Sequence, residues 1–365
     1  MSEWQTFCLK DLGKIVGGAT PPTNNPKNYG NKIAWITPKD LSTLQGRYIK
    51  KGSRSISRLG FKSCSCVLLP KHAILFSSRA PIGYVAIAKK RLCTNQGFKS
   101  IIPNKKIYFE FLYYLLKYHK DNISNIGGGT TFKEVSGATL GLFEVKIPPT
   151  YYEQQKIART LSILDQKIEN NHKINELLHT LAYKIYEYYF KYKPKNAKLE
   201  QIIIENPKSS IMVKNAQKTQ DKYPFFTSGD NILSYPKAII DGRNCFLNTG
   251  GNAGIKFYVG KASYSTDTWC ICANEFSDYL YLLLSSIKTH INQSFFQGTS
   301  LKHLQKNLLK KYPIYMPSAH EIKKFNQIIM PLLTLISINT RTSKKLEQIR
   351  DFLLPLLLKQ QVKPK

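Results

Sequence analysis

Apolar residues recur at alternating spacings of four and three in two stretches of the chain, which is the pattern of a coiled-coil seam. Each seam position in the second stretch lies 168 residues after its counterpart in the first. The first seam comprises Ile157, Leu161, Leu164, Ile168, Asn171, Asn175, Leu178, Ala182, Ile185 and Tyr189. The second comprises Phe325, Ile329, Leu332, Ile336, Asn339, Ser343, Leu346, Arg350, Leu353 and Leu357. The repeated pattern predicts two long helices that pack against each other.

Polar residues interrupt both seams at equivalent positions. A polar seam residue fixes register and partner choice at some cost in packing, so Asn171 and Asn339 indicate a set alignment of the two helices. The alternative is a solvated break in the middle of each helix. Pro331 should kink the second helix or delay its start, and Pro355 should mark its fraying end.

The segments upstream of the helices repeat as well. At a shift of 169 residues, Gly129–Lys133 pairs with Gly298–Lys302. The segments 74–86 and 245–257 also resemble each other, and both predict short apolar strands around a small-residue turn. We therefore predict a mixed α/β (α+β) fold with two related domains, each followed by a long helix. The predicted boundaries are residues 1–149, 150–193, 194–318 and 319–365.

The charge of the chain is strongly one-sided. Its 365 residues include 54 Lys and Arg against 23 Asp and Glu, a formal net charge of +31. Between Leu41 and Phe109 there is no acidic residue, while many Lys and Arg fall inside this stretch. Such an acid-free segment is typical of a surface that binds phosphates, and it indicates a polyanionic partner. The alternative is a Lys-rich solvated surface without a specific partner.

Motifs of common enzymes are missing from the sequence. The pairs Pro21-Pro22 and Pro148-Pro149 are each followed by Thr, so neither completes the tetrad of an amino-methyltransferase. No glycine cluster is followed by the Gly-Lys-Ser/Thr of a phosphate-binding loop. Glu144-Val145-Lys146 has the Glu-x-Lys core of many nucleases, but so short a match is frequent by chance. We expect a chain without catalytic residues.

Neither a metal centre nor a membrane segment is expected. The seven cysteines form an odd set, and the pairs Cys64-x-Cys66 and Cys270-x-Cys272 lack the spacing of a zinc knuckle. We interpret them as reduced, mostly buried thiols. The first twelve residues do not read as a secretory leader, and no apolar run reaches the roughly 20 residues that span a bilayer. A cytoplasmic protein is predicted.

Several ordered motifs resemble one family. The Thr37–Leu41 run, which follows Ile33-Ala34-Trp35-Ile36, the earlier Gly18–Pro21 run and the Thr94–Phe98 box resemble the first target-recognition domain of the specificity subunits of Type I restriction-modification enzymes. The pattern continues through Ile147–Pro149 into Glu153–Ala158, which resembles the central region of that family. In the second half, Tyr223–Gly229 and Gly298–Ser300 extend the resemblance. The second domain lacks the box at Thr37–Leu41, and Glu321–Phe325 repeats the entry to the first helix only loosely.

The resemblance implies a function and a set of partners. Such a subunit has two target-recognition domains, and its two helices form an antiparallel coiled coil with internal pseudo-two-fold symmetry. It reads a bipartite site in double-stranded DNA and is not itself an enzyme. Two adenine-methylating modification subunits and the restriction subunits join it, and the complex uses S-adenosylmethionine, ATP and Mg²⁺ through those partners. A two-domain DNA-binding protein without such partners and a stand-alone restriction endonuclease remain alternatives.

Candidate DNA-contacting residues follow from the chemistry of DNA recognition. Lys and Arg position the phosphate backbone, whereas Arg, Asn, Gln and Thr read base edges. Trp35 and Phe98 are expected in the core rather than against bases. In the first domain the candidates are Arg47, Arg54, Arg58, Arg79, Asn95 and Gln96, with Lys50, Lys51 and Lys62 on phosphates. In the second domain they are Asn248, Thr249, Asn252, Lys256 and Thr268.

Overall fold

The computed structural model of the chain describes residues 3–129, 133–216 and 222–363. It contains two compact units. The first comprises Met1–Glu169 and Leu346–Lys365, and the second comprises Asn170–Lys345. Each unit therefore combines one globular domain with a segment of both long helices.

The first unit is built on short strands. They are β1 (Gln5–Cys8), β2 (Gly13–Gly17), β3 (Tyr29–Ile36), β4 (Tyr48–Ile49), β5 (Arg54–Ile56), β6 (Ile74–Phe76), β7 (Val85–Ala88), β8 (Cys93–Thr94), β9 (Lys99–Pro103) and β10 (Glu144–Ile147). Its helices are α1 (Leu9–Leu12), α2 (Pro38–Ser42), α3 (Arg58–Lys62), α4 (Phe109–Asn125) and α5 (Gly137–Gly141). Five strands pair in the order β2-β9-β6-β7-β4, three in the order β5-β3-β8, and β1 pairs with β10.

The main core of the first unit lies between α4 and the five-stranded sheet. Phe111, Leu112 and Leu116 of α4 are fully buried against β6, β7 and β9. Each such side chain contributes roughly 1.5–3 kcal/mol by leaving water. The same apolar cluster includes Leu161 and Leu357, so the core continues into the helix pair.

The first long helix is α6 (Tyr151–Tyr186), which is followed by a π-helical turn (Glu187–Lys191). It begins at an N-cap, because the Thr150 hydroxyl accepts the Glu153 N–H at 3.2 Å and donates to the Glu153 carboxylate at 3.1 Å. The preceding Pro148-Pro149 pair cannot continue a helix backwards, so the start is sharply defined.

The second unit repeats this design. Its strands are β11 (Ala197–Lys198), β12 (Ile204–Glu205), β13 (Tyr223–Phe226), β14 (Leu233–Tyr235), β15 (Arg243–Asn248), β16 (Ile255–Val259), β17 (Ser263–Tyr264), β18 (Thr268–Cys272), β19 (Phe296–Gln297), β20 (His303–Leu304) and β21 (Pro313–Ile314). Its helices are α7 (Ser277–Ser286), α8 (Lys288–Ser294), α9 (Lys306–Lys310) and the long α10 (Ala319–Leu358). The main sheet has the order β12-β18-β15-β16, and a smaller one has the order β14-β13-β17.

The internal duplication is visible in the strand pairing of each unit. The order β2-β9-β6-β7 corresponds to β12-β18-β15-β16, and the parallel pair of β3 with β8 corresponds to β13 with β17. The two predicted apolar strand pairs are confirmed as β6 with β7 and β15 with β16. Strand β4 extends the main sheet of the first unit alone, among the strands described. The predicted mixed fold of two domains, each followed by a long helix, is confirmed.

Pro331 and Pro355 both lie inside the second long helix. Helix α10 begins at Ala319 and runs through Pro331, so the proline does not delay its start. Pro331 is exposed, and the Gln327 carbonyl that loses its partner can be satisfied by solvent. The helix also continues past Pro355 to Leu358.

Candidate nucleic-acid interface and helix seam

The acid-free stretch of the first unit forms an exposed basic segment. Five predicted cations within 13 consecutive positions are solvent-exposed: Lys50, Lys51, Arg54, Arg58 and Lys62. None of them forms an ion pair with another residue that the structure describes. The Arg54 guanidinium lies 4.0 Å from the centre of the Tyr29 ring, which leaves its donors free to face outward.

A second group of cations lies beside this segment and was missing from the candidate set. Strands β4 and β7 pair in parallel, with Ile49 opposite Ala88, so their carboxyl ends meet at one edge of the sheet. Lys50 and Lys51 leave β4 at this edge, while the exposed run Lys89–Arg91 leaves β7. The Lys89 N–H donates to the Ile49 carbonyl at 2.9 Å and fixes the two turns together. Strand pairing thus concentrates charge that the sequence shows only as two separate runs.

The Thr37–Leu41 box has a structural role in holding this edge. The Asp40 carboxylate accepts hydrogen bonds from the Thr37 N–H at 2.8 Å, the Thr37 hydroxyl at 2.7 Å and the Ser53 N–H at 2.7 Å. Burial alone would raise the pKa of Asp40, but the hydrogen bonds from Ser53 and Thr37 outweigh it and lower the pKa below its usual value. The ionised carboxylate therefore ties the turn after Lys50 and Lys51 to the start of α2.

The Thr94–Phe98 box closes a neighbouring loop. The Thr20 hydroxyl donates to the exposed Gln96 side chain, and the side-chain oxygen Oδ1 of Asn95 accepts the Gly97 N–H at 3.0 Å. Asn95 is therefore used by its own turn, while Gln96 stays at the surface. Trp35 and Phe98 are buried, as expected for core residues.

Two arginines of the candidate set are occupied by acidic partners. The Arg47 side chain is only 3% exposed, and it donates to Glu169 and Glu110 at 3.1 Å each. Its placement in the DNA-reading set was wrong, because a buried guanidinium held by two carboxylates cannot reach DNA. Arg79 is half-buried and lies 3.5 Å from Glu134, which also binds Lys99 at 3.2 Å.

Most candidates of the second unit build the interior instead of facing solvent. Asn248 is 6% exposed, and its side chain donates to the Asn252 carbonyl at 3.1 Å and accepts from the Lys256 ammonium at 3.0 Å. Lys256 also donates to the Thr227 carbonyl at 2.8 Å. Thr268 is buried and donates to the Phe226 carbonyl at 3.2 Å. Polar side chains beside tight turns are used here by the turns themselves.

The remaining second-unit candidates lie at one edge that the sequence did not predict. Thr249 is half-buried and Asn252 is exposed. The Thr249 carbonyl accepts the Leu304 N–H at 3.0 Å, and the Gly251 N–H donates to the Lys302 carbonyl at 2.9 Å. This pairing brings exposed Lys302, next to the repeated Gly298–Ser300 motif, to the same loop. The corresponding Thr130 and Thr131 of the first domain lie outside the described residues.

The predicted helix seam is buried or half-buried at every position of both helices. In the second unit the helices run antiparallel, because Asn171 contacts Ser343 at 3.1 Å while Asn175 contacts Asn339 at 2.9 Å. Ser343 is the repeat counterpart of Asn175, and Asn339 is that of Asn171. Asn171 and Asn339, which occupy equivalent positions, therefore do not pair with each other. Each of them pairs with the seam residue four positions after the other.

A row of apolar side chains remains on the outside of the helices in the second unit. They lie away from the seam and are between 42% and 70% exposed: Ile174, Leu177, Leu181, Leu335 and Ile338. We call these five residues the outer helix face. Exposed apolar groups in such a row are typical of a surface that binds another protein.

Known proteins that resemble this chain show the family to which it belongs. A family model described as the Type I restriction modification DNA specificity domain matches residues 1–180 and 195–348. The chain belongs to this family. The Type I restriction enzyme MjaIX specificity subunit of Methanocaldococcus jannaschii is 33% identical to this specificity-domain protein over 403 residues, which cover 98% of this chain and 93% of that one.

Other relatives agree with this assignment. The Type I restriction enzyme HindI specificity subunit of Haemophilus influenzae is 30% identical over 177 residues, covering 46% of this chain and 37% of that one. The crystal structure of the Type I restriction-modification system S subunit from M. genitalium has a TM-score of 0.62 and 18% identity, and it covers 97% of this chain and 96% of that one. That structural likeness shows that the specificity-domain protein shares the fold.

The described part of this specificity-domain protein offers no metal centre. No group of three or more His, Cys, Asp or Glu in the described ranges is placed to hold a metal ion. All seven cysteines are free thiols, and four of them are buried. Among the described helices, none has the length and apolar character needed to cross a membrane.

Proposed function

We propose that this chain reads a two-part site in double-stranded DNA and assembles modification and restriction subunits around it, without carrying catalytic residues itself. The observation that carries the proposal is the exposed basic segment of the first unit, found in a chain that belongs to the Type I specificity family. Its cations have the charge and exposure needed to bind phosphates. Methylation and cleavage, with S-adenosylmethionine, ATP and Mg²⁺, then belong to the partner subunits, in the cytoplasm.

The two units divide the work of recognition. Lys50, Lys51 and the run Lys89–Arg91 contact the DNA backbone and place the first domain. Arg54 and Gln96 are exposed beside them and have the donors that read base edges in the major groove. In the second domain the loop at Asn252 and Lys302 takes the same role. Each domain reads one half of the site, as each half of a dimeric DNA-binding protein does.

The outer helix face supports the binding of a modification subunit to the helices. Its five apolar side chains lie on both α6 and α10, which provides a surface too apolar to remain in water without cost. A partner that covers Leu177 and Leu181, the two most exposed members of the outer helix face, would gain roughly 25 cal/mol per Å² of apolar surface removed from water. The proposal therefore places the modification subunits against the helices and the DNA against the domains.

A genome-wide map of methylated adenines tests the function. In the host, deletion of this gene should abolish methylation at one motif made of two short sequences separated by a fixed gap. Restoring the gene should restore the motif. If the methylation pattern is the same with and without the gene, and co-expressed modification subunits do not restore any gapped motif, the chain acts as a DNA-binding protein without such partners. Metal-dependent DNA cleavage by the purified chain alone would favour the endonuclease alternative.

A double substitution tests the docking surface. Leu177→Asp with Leu181→Asp should weaken binding of the modification subunit by at least about tenfold, since roughly 1.4 kcal/mol corresponds to that factor. Because both side chains are exposed, the circular dichroism and the thermal midpoint of the free chain should stay unchanged. Lys173→Asp on the same helix is the matched control. Undiminished co-purification of the double variant would exclude the outer helix face as the binding surface.

A further inference from the structure

A cluster of charged side chains lies buried where the first domain meets its helices. Arg47 donates from Nη1 to Glu110 of α4 and from Nε to Glu169 of α6, both at 3.1 Å, and Asp165 of α6 lies 4.0 Å from Nε. Arg350 of α10 binds the other oxygen of Asp165 at 2.7 Å. All five residues belong to the first unit. We call this set the buried charge cluster.

The backbone at Arg47 lies in direct contact with helix α6. The Arg47 N–H donates to the Glu169 carboxylate at 2.9 Å. The preceding Gly46 has a φ of +130°, and a Cβ at that position would lie 3.1 Å from Glu169 Cγ. A side chain there would both strain the backbone and crowd the Glu169 side chain. The approach of chain and helix is therefore close as well as charged.

The same short segment leads from the helix to the exposed basic edge. The Arg47 carbonyl accepts the Ile87 N–H at 2.8 Å, and β4 begins at the next residue. Lys50 and Lys51 follow directly after β4, at the edge that we assign to DNA. Only two residues of β4 separate the helix contact from the proposed phosphate contacts.

Tyrosines from the domain fix the orientation of the acids. The Tyr114 hydroxyl donates to Asp165 at 2.6 Å, and the Tyr108 hydroxyl donates to Glu110 at 2.9 Å. Tyr48 donates to the same Glu110. With their partners set in this way, the carboxylates accept the planar guanidinium of Arg47 in one orientation.

Such a cluster contributes geometry more than stability. Apolar side chains of the same volume would hold domain and helix at least as firmly, because the cost of removing charges from water offsets much of their attraction. Apolar contacts alone, however, permit a domain to roll over a helix surface. The directional bonds of the cluster prevent that movement.

We propose that the buried charge cluster sets the angle of the first domain on the helices, and that Arg47 and Glu169 thereby restrict the gap between half-sites that the complex accepts. They are positioning residues, since neither reaches DNA. A first domain that can tilt on its helices accepts its half-site at more than one distance along the duplex. The inference rests on the proposed function and deepens it.

The test uses the whole chain in complex with its modification subunits and a set of DNA duplexes. The duplexes carry the two half-sites with the native gap, or with gaps one or two base pairs longer and shorter. Methylation rates are measured for wild type, Glu169→Gln and Arg47→Lys. Glu169→Gln keeps the shape of a half-buried side chain, so it keeps the test valid if Arg47→Lys fails to fold. Glu176→Gln, exposed on the same helix, is the matched control.

Both variants should methylate the native gap within a few-fold of wild type, and should gain at least about tenfold, relative to the native gap, at gaps altered by one base pair. The control should reproduce the wild-type gap profile. Identical gap profiles for all four proteins, or a loss by the same factor at every gap, would refute the positioning role. A wild-type complex that methylates no gapped duplex would instead refute the proposed function.

Discussion

The two units attach their domains to the helices with an arginine each, but in different ways. In the first unit Arg47 is fully buried and takes its acids from α4 and α6. In the second unit Arg243 forms a two-pronged pair with Asp278 of its own domain, at 2.8 to 3.0 Å, and binds α10 through the Thr334 hydroxyl and the Met330 carbonyl. The two domains therefore share a fold but are attached to the long helices by different contacts. Each domain depends on contacts that the other lacks.

Removal of the two arginines should have the largest effect and should stay local. Arg47→Met removes the cation that Glu110 and Glu169 share, and Arg243→Met removes the cation of Asp278, whose side chain is 2% exposed. Leaving a buried charge unpaired costs about 3–5 kcal/mol. Hydrogen exchange followed by mass spectrometry should show faster exchange of α4 amides for the first variant and of β15 amides for the second.

The exposed Arg54→Met is the control for this comparison and should change stability by less than about 0.5 kcal/mol. If either variant accelerated exchange to the same degree in both units, the two attachments would not be independent.

A pair of asparagines in the second unit should give an intermediate effect. Asn248→Ala removes one of the two acceptors of the half-buried Lys256 ammonium and should cost about 1–3 kcal/mol. Burial already lowers the pKa of Lys256, which means that its charged form is destabilised. The loss of a hydrogen-bond acceptor would destabilise that charged form further. Asn252→Ala, four residues further on and exposed, should leave the thermal midpoint unchanged and reduce methylation of the target site. Equal destabilisation by both would show that Asn252 is structural too.

The helices and the duplicated fold could be predicted from sequence because the apolar spacing is long, regular and repeated. Individual contacts could not. Arg47 was assigned to DNA because its own stretch has no acid, yet its partners Glu110 and Glu169 lie 63 and 122 residues away. Asn248 and Lys256 have the chemistry of base readers, and only the folded chain shows that they satisfy each other. Lys50 and Lys89 lie close together because β4 pairs with β7, and the spacing of residues along the chain does not reveal that pairing.

The smallest expected effect on stability comes from the N-cap residues at the starts of the two long helices. Thr150 caps α6 by accepting the Glu153 N–H at 3.2 Å, and Ser318 caps α10 by accepting the Glu321 N–H at 3.3 Å. The Glu321 carboxylate also accepts from Tyr315 at 2.8 Å and from Lys193 at 3.0 Å, which holds the start of α10 independently of the Ser318 hydroxyl. Thr150→Ala should therefore cost about 1 kcal/mol, and Ser318→Ala only a few tenths. Urea unfolding measures both. Thr180→Ala, exposed within α6, is the control, and an equal loss at the two caps would mean that the extra donors to Glu321 do not stabilise the helix start.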